Sequence, residues 1–296
     1  MSRLCNRILL LLFFTLFSID LFCLENGYLT KDEILLFHKQ GYLIKKGCLD
    51  KKQVDEITIA TQQAIENSME SLFMLSGNLK KNEESYIEIQ GSRIVYRASD
   101  ENISIARING CGGLQPSLLE TLQSHKMVHT FFELLGTNKI EHLICQIHPK
   151  LPFDGISFRP HRDVEFRKSF DPNWTDILGN GSWAICIIPV DSMSEKNGGL
   201  WIDTGSFGEQ SQENIMWVKA EPGDMLFLHP YILHGSGPNL SDKPRRTLLT
   251  GFCAYEANHK AYPGSHVNYC FSIDSENTIT KELSPWANTK IKGDGH

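Results

Sequence analysis

Pro222-Gly223-Asp224-Met225-Leu226-Phe227-Leu228 leads, six residues on, to His234-Gly235-Ser236-Gly237-Pro238-Asn239. Pro-Gly-Asp is turn chemistry, and the apolar residues after it have the length of a short buried strand. The turn aims the chain so that His234 comes back toward a sheet. From residue 139 onward the rest of the chain keeps this character. Residues 140–148, 183–190, 200–202, 215–218, 225–228 and 247–255 are β-branched and aromatic runs separated by Gly, Pro, Asn and Asp. That pattern predicts a mainly β fold, an antiparallel jelly-roll (double-stranded β-helix, cupin-like) core over about residues 139–256 with flanking helices.

The flanking helices have their own signals. Thr30-Lys31-Asp32-Glu33 is a capping box, predicting a helix over 31–40 that stops at Gly41, followed by a short strand at Tyr42-Leu43-Ile44. Asp50 caps a second helix, in which Val54, Ile57, Thr61, Ala64 and Ile65 recur at helical spacing. A hairpin is expected over 87–96 around Gln90-Gly91-Ser92, and two more helices over 117–123 and 127–135. Residues 25–296 read as one domain.

Chemistry concentrates at His161-Arg162-Asp163. If the segment is a strand, residues two apart share a face, so His161 and Asp163 reach one point while Arg162 turns away. His234, 73 residues later, supplies the second imidazole from another strand. Two histidines and a carboxylate are the facial triad of non-haem Fe(II), which leaves coordination positions open. Eleven histidines in a chain with 35 acidic residues would produce about one such His-x-Asp/Glu match by composition alone, so the tripeptide needs support. His-Arg-Asp also occurs in the protein-kinase catalytic loop, but Lys168 stands where that loop needs asparagine.

The support comes from the surroundings. From Phe37-His38-Lys39-Gln40-Gly41-Tyr42-Leu43-Ile44 to the strand at Arg245, the chain resembles the phytanoyl-CoA dioxygenase family of Fe(II)/2-oxoglutarate oxygenases. Residues 65–125 match loosely, and Pro222–Phe227 leading to His234–Ser241 and Arg245 is the most specific stretch. The resemblance implies that His161, Asp163 and His234 are catalytic iron ligands and that Arg245 pairs with the distal carboxylate of 2-oxoglutarate. A planar guanidinium suits a carboxylate bidentately, and alternation leaves its neighbour Arg246 on the other face. Gln146, in Gln-x-x-x-Lys150-x-Pro152, together with Trp183 and Ser236, resembles family positions around the co-substrate. A further basic residue is expected from the earlier region, where Arg93, Arg97 and Arg107 are the candidates. Gly198–Ser206 resembles the segment before the family's variable loop, with Thr204 in place of a proline. His229 reads as structural.

The implied reaction is hydroxylation of an unactivated C–H of a small-molecule or acyl substrate, with 2-oxoglutarate and O2 as co-substrates and succinate and CO2 as products. Retention of Asp163 favours hydroxylation over halogenation. Two rivals stand beside it: a metal cupin that does not use 2-oxoglutarate, and a non-catalytic binding module on the same fold.

A formal charge of −6 and isolated basic pairs argue against nucleic acid as a partner. Eight scattered cysteines without CxxC read as buried small hydrophobes in a reducing compartment. Against that, Arg3 and Arg7 precede an apolar run over 8–17, which suggests that residues 1–24 are a secretory signal or membrane anchor. A secretory or membrane-associated location through residues 8–17, and a cytoplasmic one with an incorrectly assigned start, are both open readings. Oligomeric state is not legible.

Overall fold

Thr30 accepts a hydrogen bond from the Glu33 backbone N–H while the Glu33 carboxylate accepts from the Thr30 N–H, and this reciprocal cap starts α1 (Lys31–Gln40). In the computed structural model, which describes residues 27–207, 214–264 and 267–288, the helix ends at Gly41 with φ 81°. A Cβ there would lie 2.6 Å from the Phe207 ring, so both the backbone conformation and the space require glycine. The chain passes directly into β1 (Tyr42–Lys45) and then, capped by Asp50 and Gln53, into α2 (Lys51–Met74). The buried stripe of α2 includes Ile57, Thr61, Ala64 and Ile65, the residues at helical spacing. The expected signal or anchor over residues 1–24 lies outside the described residues. Among the described residues no helix is long and apolar enough to cross a membrane.

The hairpin forms from β2 (Glu84–Ile89) and β3 (Ser92–Ala98), with Gln90 and Gly91 both at positive φ, as a tight two-residue turn demands. A third strand, β4 (Ile103–Asn109), follows it and has no counterpart in the sequence reading. Short helices α3 (Ser117–Leu122) and α4 (His125–Leu135) then lead to the long β5 (Lys139–Lys150). The remaining elements are β6 (Phe158–His161), α5 (Asp163–Phe170), β7 (Trp183–Pro189), β8 (Leu200–Asp203), β9 (Ile215–Trp217), β10 (Met225–Leu228), β11 (His234–Ser236), β12 (Arg245–Ala254), β13 (Tyr269–Ile273) and β14 (Ile279–Leu283).

These strands form two antiparallel sheets, the facing layers of a double-stranded β-helix. The large sheet runs β1-β10-β7-β12-β5-β4-β3-β2, with β13 also paired to β5 and β14 to β13. The small sheet runs β6-β11-β8-β9. The sheet therefore extends past the expected 139–256 core at both ends. Two of its middle strands, β7 and β10, are buried along their whole length, so they read as continuous apolar runs rather than alternating ones. Residues 158 and 161 of β6 face 236 and 234 of β11, which places an extra residue in β6. That bulge lets Phe158 and His161 both line the space between the sheets.

Candidate metal centre and its cavity

His161 closes β6, but Asp163 is the first residue of α5, so the expectation that one strand carries both is corrected. Arg162 between them remains extended at φ −109°, ψ 129°, and this single residue preserves the shared direction of its neighbours before the helix begins. Its own side chain turns away, donating to the carbonyls of Ser206 at 2.8 Å and of Tyr231. His234 opens β11 directly opposite His161.

The three side chains meet. His161 Nε2 and His234 Nε2 lie 3.4 and 3.6 Å from Asp163 Oδ1, and the ligand atoms of all three are within 4.8 Å of one another. Each imidazole is oriented by backbone: His161 Nδ1 is 2.6 Å from the Arg159 carbonyl and His234 Nδ1 is 3.1 Å from the Ile232 carbonyl. A carbonyl only accepts, so each Nδ1 carries the proton and each Nε2 presents a bare lone pair. Two bare nitrogens facing a carboxylate call for a cation between them. Asp163 Oδ2 is also buried without a hydrogen-bond partner. The donor set fits a first-row divalent metal with open positions.

Without a cation the electrostatics divide: Asp163 and His234 are held in the forms that bind a metal, and His161 is drawn toward its protonated form by the carboxylate. Burial alone would raise the Asp163 carboxyl, but His234, His161 and Arg167 together hold it below the usual carboxylate range. Burial opposes protonation of His161, yet the adjacent Asp163 carboxylate raises its pKa. His234, fully enclosed and next to His161, is pushed down to about 4.

The triad opens on a cavity of about 540 Å³. Arg245, buried on β12, lines it, with Nε and Nη2 on the Gly198 carbonyl at 3.1 and 2.7 Å and Nη1 3.3 Å from Thr247 Oγ1. Burial lowers its pKa to about 10. Arg246 points to the opposite face, held by both oxygens of Asp191 at 2.8 and 2.7 Å and by Gln62 at 2.7 Å. Gln146, Trp183 and Ser236 all line the cavity. The Gln146 amide donates to the Tyr262 hydroxyl and accepts from His148 Nε2 at 3.0 Å. Ser236 accepts from Lys150 Nζ at 2.7 Å, and the indole N–H of Trp183 is buried without a partner.

Geometry separates the three basic candidates. Arg93 is buried in a pair with Glu88 and does not line the cavity. Arg97 is half-exposed at the rim, paired with Glu84 at 3.1 Å. Arg107 is buried on the cavity wall; its Nη1 meets Glu84 at 3.0 Å, while Nε and Nη2 find no hydrogen-bond partner. His229 is buried against Phe37, Phe207 and Tyr231, away from the triad, and burial pushes it down to about 4.

Two buried cations stand beside these candidates: Lys150, quoted in the sequence only as part of the Gln-x-x-x-Lys-x-Pro stretch, and Arg167, which carried no sequence signal. Lys150, cross-strand partner of Arg245, is buried with its ammonium on the Gly198 and Gly237 carbonyls as well as Ser236. Burial, reinforced by Arg245, lowers its pKa to about 6. Arg167, one helical turn beyond Asp163, is fully buried with Nε, Nη1 and Nη2 all unpartnered. Its guanidinium lies 5.0 Å from the Trp183 ring centre, 5.2 Å from Tyr262 and 5.3 Å from Trp174, so aromatic faces take the place of a counter-ion. A signal was available for Arg159, which precedes His161 by two residues and lines the same cavity.

A search of curated proteins gave no match. Solved structures share the fold at low identity. EctD from S. alaskensis in its apo form has a TM-score of 0.61 at 15% identity, covering 90% of this chain and 87% of that one. The same protein solved with 2-oxoglutarate and 5-hydroxyectoine gives 0.59 at 14%, covering 88% and 87%. The non-haem α-ketoglutarate-dependent carbocyclase SnoK from nogalamycin biosynthesis gives 0.57 at 16%, covering 80% and 88%. The sequence model of the phytanoyl-CoA dioxygenase (PhyH) family matches residues 37–247, most of the chain. This protein belongs to the phytanoyl-CoA dioxygenase family.

Proposed function

We propose that the protein is an Fe(II)- and 2-oxoglutarate-dependent dioxygenase that hydroxylates an unactivated C–H of a small-molecule or acyl substrate, releasing succinate and CO2. The observation that carries this reading is the convergence of His161, Asp163 and His234, with Nε2 lone pairs exposed, on a cavity that also holds the buried guanidinium of Arg245. The ferrous ion, when bound, supplies the activation of dioxygen and the oxidising power for C–H cleavage.

The chain's own residues do the rest. His161 and His234 hold the metal with rings fixed by the Arg159 and Ile232 carbonyls, and Asp163 offsets one of its charges. Arg245 grips the distal carboxylate of 2-oxoglutarate, a charge-assisted contact worth about 1.5–3 kcal/mol. Arg107, with two free donors on the wall, is the basic residue for the other carboxylate end. Gln146, Trp183 and Ser236 shape the co-substrate pocket, while Ile185, Ile187 and Leu249 exclude water from it. Anaerobic addition of Fe(II) and 2-oxoglutarate, followed by the weak visible charge-transfer band and then by succinate release over a substrate panel, tests the reading. A protein that binds Fe(II) but gives no such band with 2-oxoglutarate would sink it.

A further inference from the structure

His161 and His234 are each aimed at the metal position by a backbone carbonyl, but Asp163 has no such anchor. Its Oδ2 is buried without a hydrogen-bond partner, and its Oδ1 faces the two bare Nε2 atoms. The direction of this ligand therefore comes from the seat of α5, a helix of eight residues that opens with Asp163. At its start the helix is held by the Arg162 guanidinium on the Ser206 and Tyr231 carbonyls, and by the Val164 N–H, 3.1 Å from the Pro230 carbonyl. Further along it buries Arg167 and Phe170.

Arg167 lies four residues past Asp163, on the same face of the helix. It is fully buried, and its Nε, Nη1 and Nη2 all lack a hydrogen-bond partner. An apolar side chain of similar length would fill this space without the cost of desolvating a cation. What the guanidinium adds is attraction to aromatic faces. Its Cζ is 5.7 Å from the Phe170 ring centre, 5.3 Å from Trp174, 5.0 Å from Trp183 and 5.2 Å from Tyr262. These rings come from three parts of the chain: the end of α5 and the turn after it, the start of β7, and the segment that follows β12. Trp183 and Tyr262 are also walls of the cavity, so the cage ties α5 to the space that its first residue serves. Tyr262 stands beyond residue 247, where the family match ends. We propose that Arg167 is a positioning residue for Asp163: held among four rings, it fixes the seat of α5 and with it the approach of the carboxylate to the metal. The proposal rests on the metal assignment and adds the residue that supports its third ligand.

Titration of the metal-free protein with Co(II) alone, read in its visible d–d bands, tests this without turnover. Arg167→Met keeps the bulk and loses the cation; it should weaken Co(II) binding about tenfold to a hundredfold and alter the bands. Arg167→Lys should recover most of that loss. Trp174→Leu removes one wall of the cage from outside the cavity. It should weaken Co(II) binding in the same direction, and it decides the question by itself where Arg167→Met does not fold. The two changes combined should cost no more than about threefold beyond either alone, since both act through one contact. A merely structural arginine would leave Co(II) affinity and bands unchanged and move only the melting temperature. A purely electrostatic one would give tighter binding once its positive charge is removed. Either result, or an Arg167→Lys variant as weak as Arg167→Met, overturns the proposal while the metal assignment stands. If the wild-type protein itself takes up no Co(II), the metal assignment falls and this proposal with it.

Discussion

His161 and His234 stand directly opposite each other across the β6–β11 ladder, ring centres 4.3 Å apart, each anchored through Nδ1 to the carbonyl two residues before it. The ladder fixes their separation and the carbonyls fix their rotation, so two of the three ligands are set by backbone alone. Asp163 completes it from the first turn of α5.

Replacing Asp163 by alanine should therefore leave the fold intact and remove the metal. Fe(II) content and succinate formation should both fall to background, and metal-induced stabilisation, about 2.7 kcal/mol at a hundredfold excess over Kd, should vanish from thermal unfolding. An unchanged rate of succinate formation would remove the metal assignment.

Arg245 and Arg246 should separate cleanly. Arg245→Ala should raise the 2-oxoglutarate requirement about tenfold to a hundredfold, the loss of a charge-assisted bond. Arg246→Ala should leave that requirement alone and lower stability, since it breaks the bidentate pair with Asp191 and leaves that carboxylate only the backbone N–H of residue 246. Titrating 2-oxoglutarate on both variants checks this; the opposite pattern would exchange their roles.

Glu141 is buried on β5, where desolvation raises its carboxyl to about 7 despite hydrogen bonds from Ser284 at 2.6 Å and Asn258 at 2.9 Å. The folded state then holds this proton more tightly than the unfolded state does. Its contribution is full below the ordinary value of 4.5 and is lost as pH rises through about 7, on the order of 3 kcal/mol in all. Glu141→Gln keeps a neutral side chain at every pH. Its melting temperature should exceed wild type at pH 8 and match it near pH 4.5, and equal differences at both would contradict the buried-proton account.

Gly41→Ala meets both a positive φ of 81° and the Phe207 ring at 2.6 Å, whereas Gly136→Ala, at φ 66°, meets no atom within 4 Å. The second change should cost about 1 kcal/mol of backbone strain, and the first should cost more, up to about 3 kcal/mol. Urea unfolding of the two variants measures the difference. Equal costs would mean that Phe207 yields freely.

Much of this site was legible because its signals are local. Capping residues Thr30 and Asp50, the Gln90-Gly91 turn and the apolar runs of the core strands each act through neighbours a few residues away. The triad was legible through its spacing and setting. What failed was the element beneath Asp163: the rule that alternate residues share a face holds for any extended residue, so Arg162 alone satisfied it and no full strand was required. Strand β4 had turn residues on both sides, Ser99-Asp100-Glu101-Asn102 before it and Gly110 after it. Its own run is short and carries Ser104, Arg107 and Asn109, so its place in the sheet is specified mainly by pairing with β3 and β5.

The amino-acid order by itself determined which residues could bind a metal, that the core is an antiparallel double sheet, and where the first helices begin and end, since propensity, capping and turn chemistry are short-range. Only the tertiary structure decided that Arg107 rather than Arg93 faces the cavity, that Arg246 is tied to Asp191, and that Arg167 sits among aromatic rings. Those outcomes depend on which strands become neighbours and how they bulge. They are set by pairings between residues tens of positions apart, which leave no periodic trace in the chain.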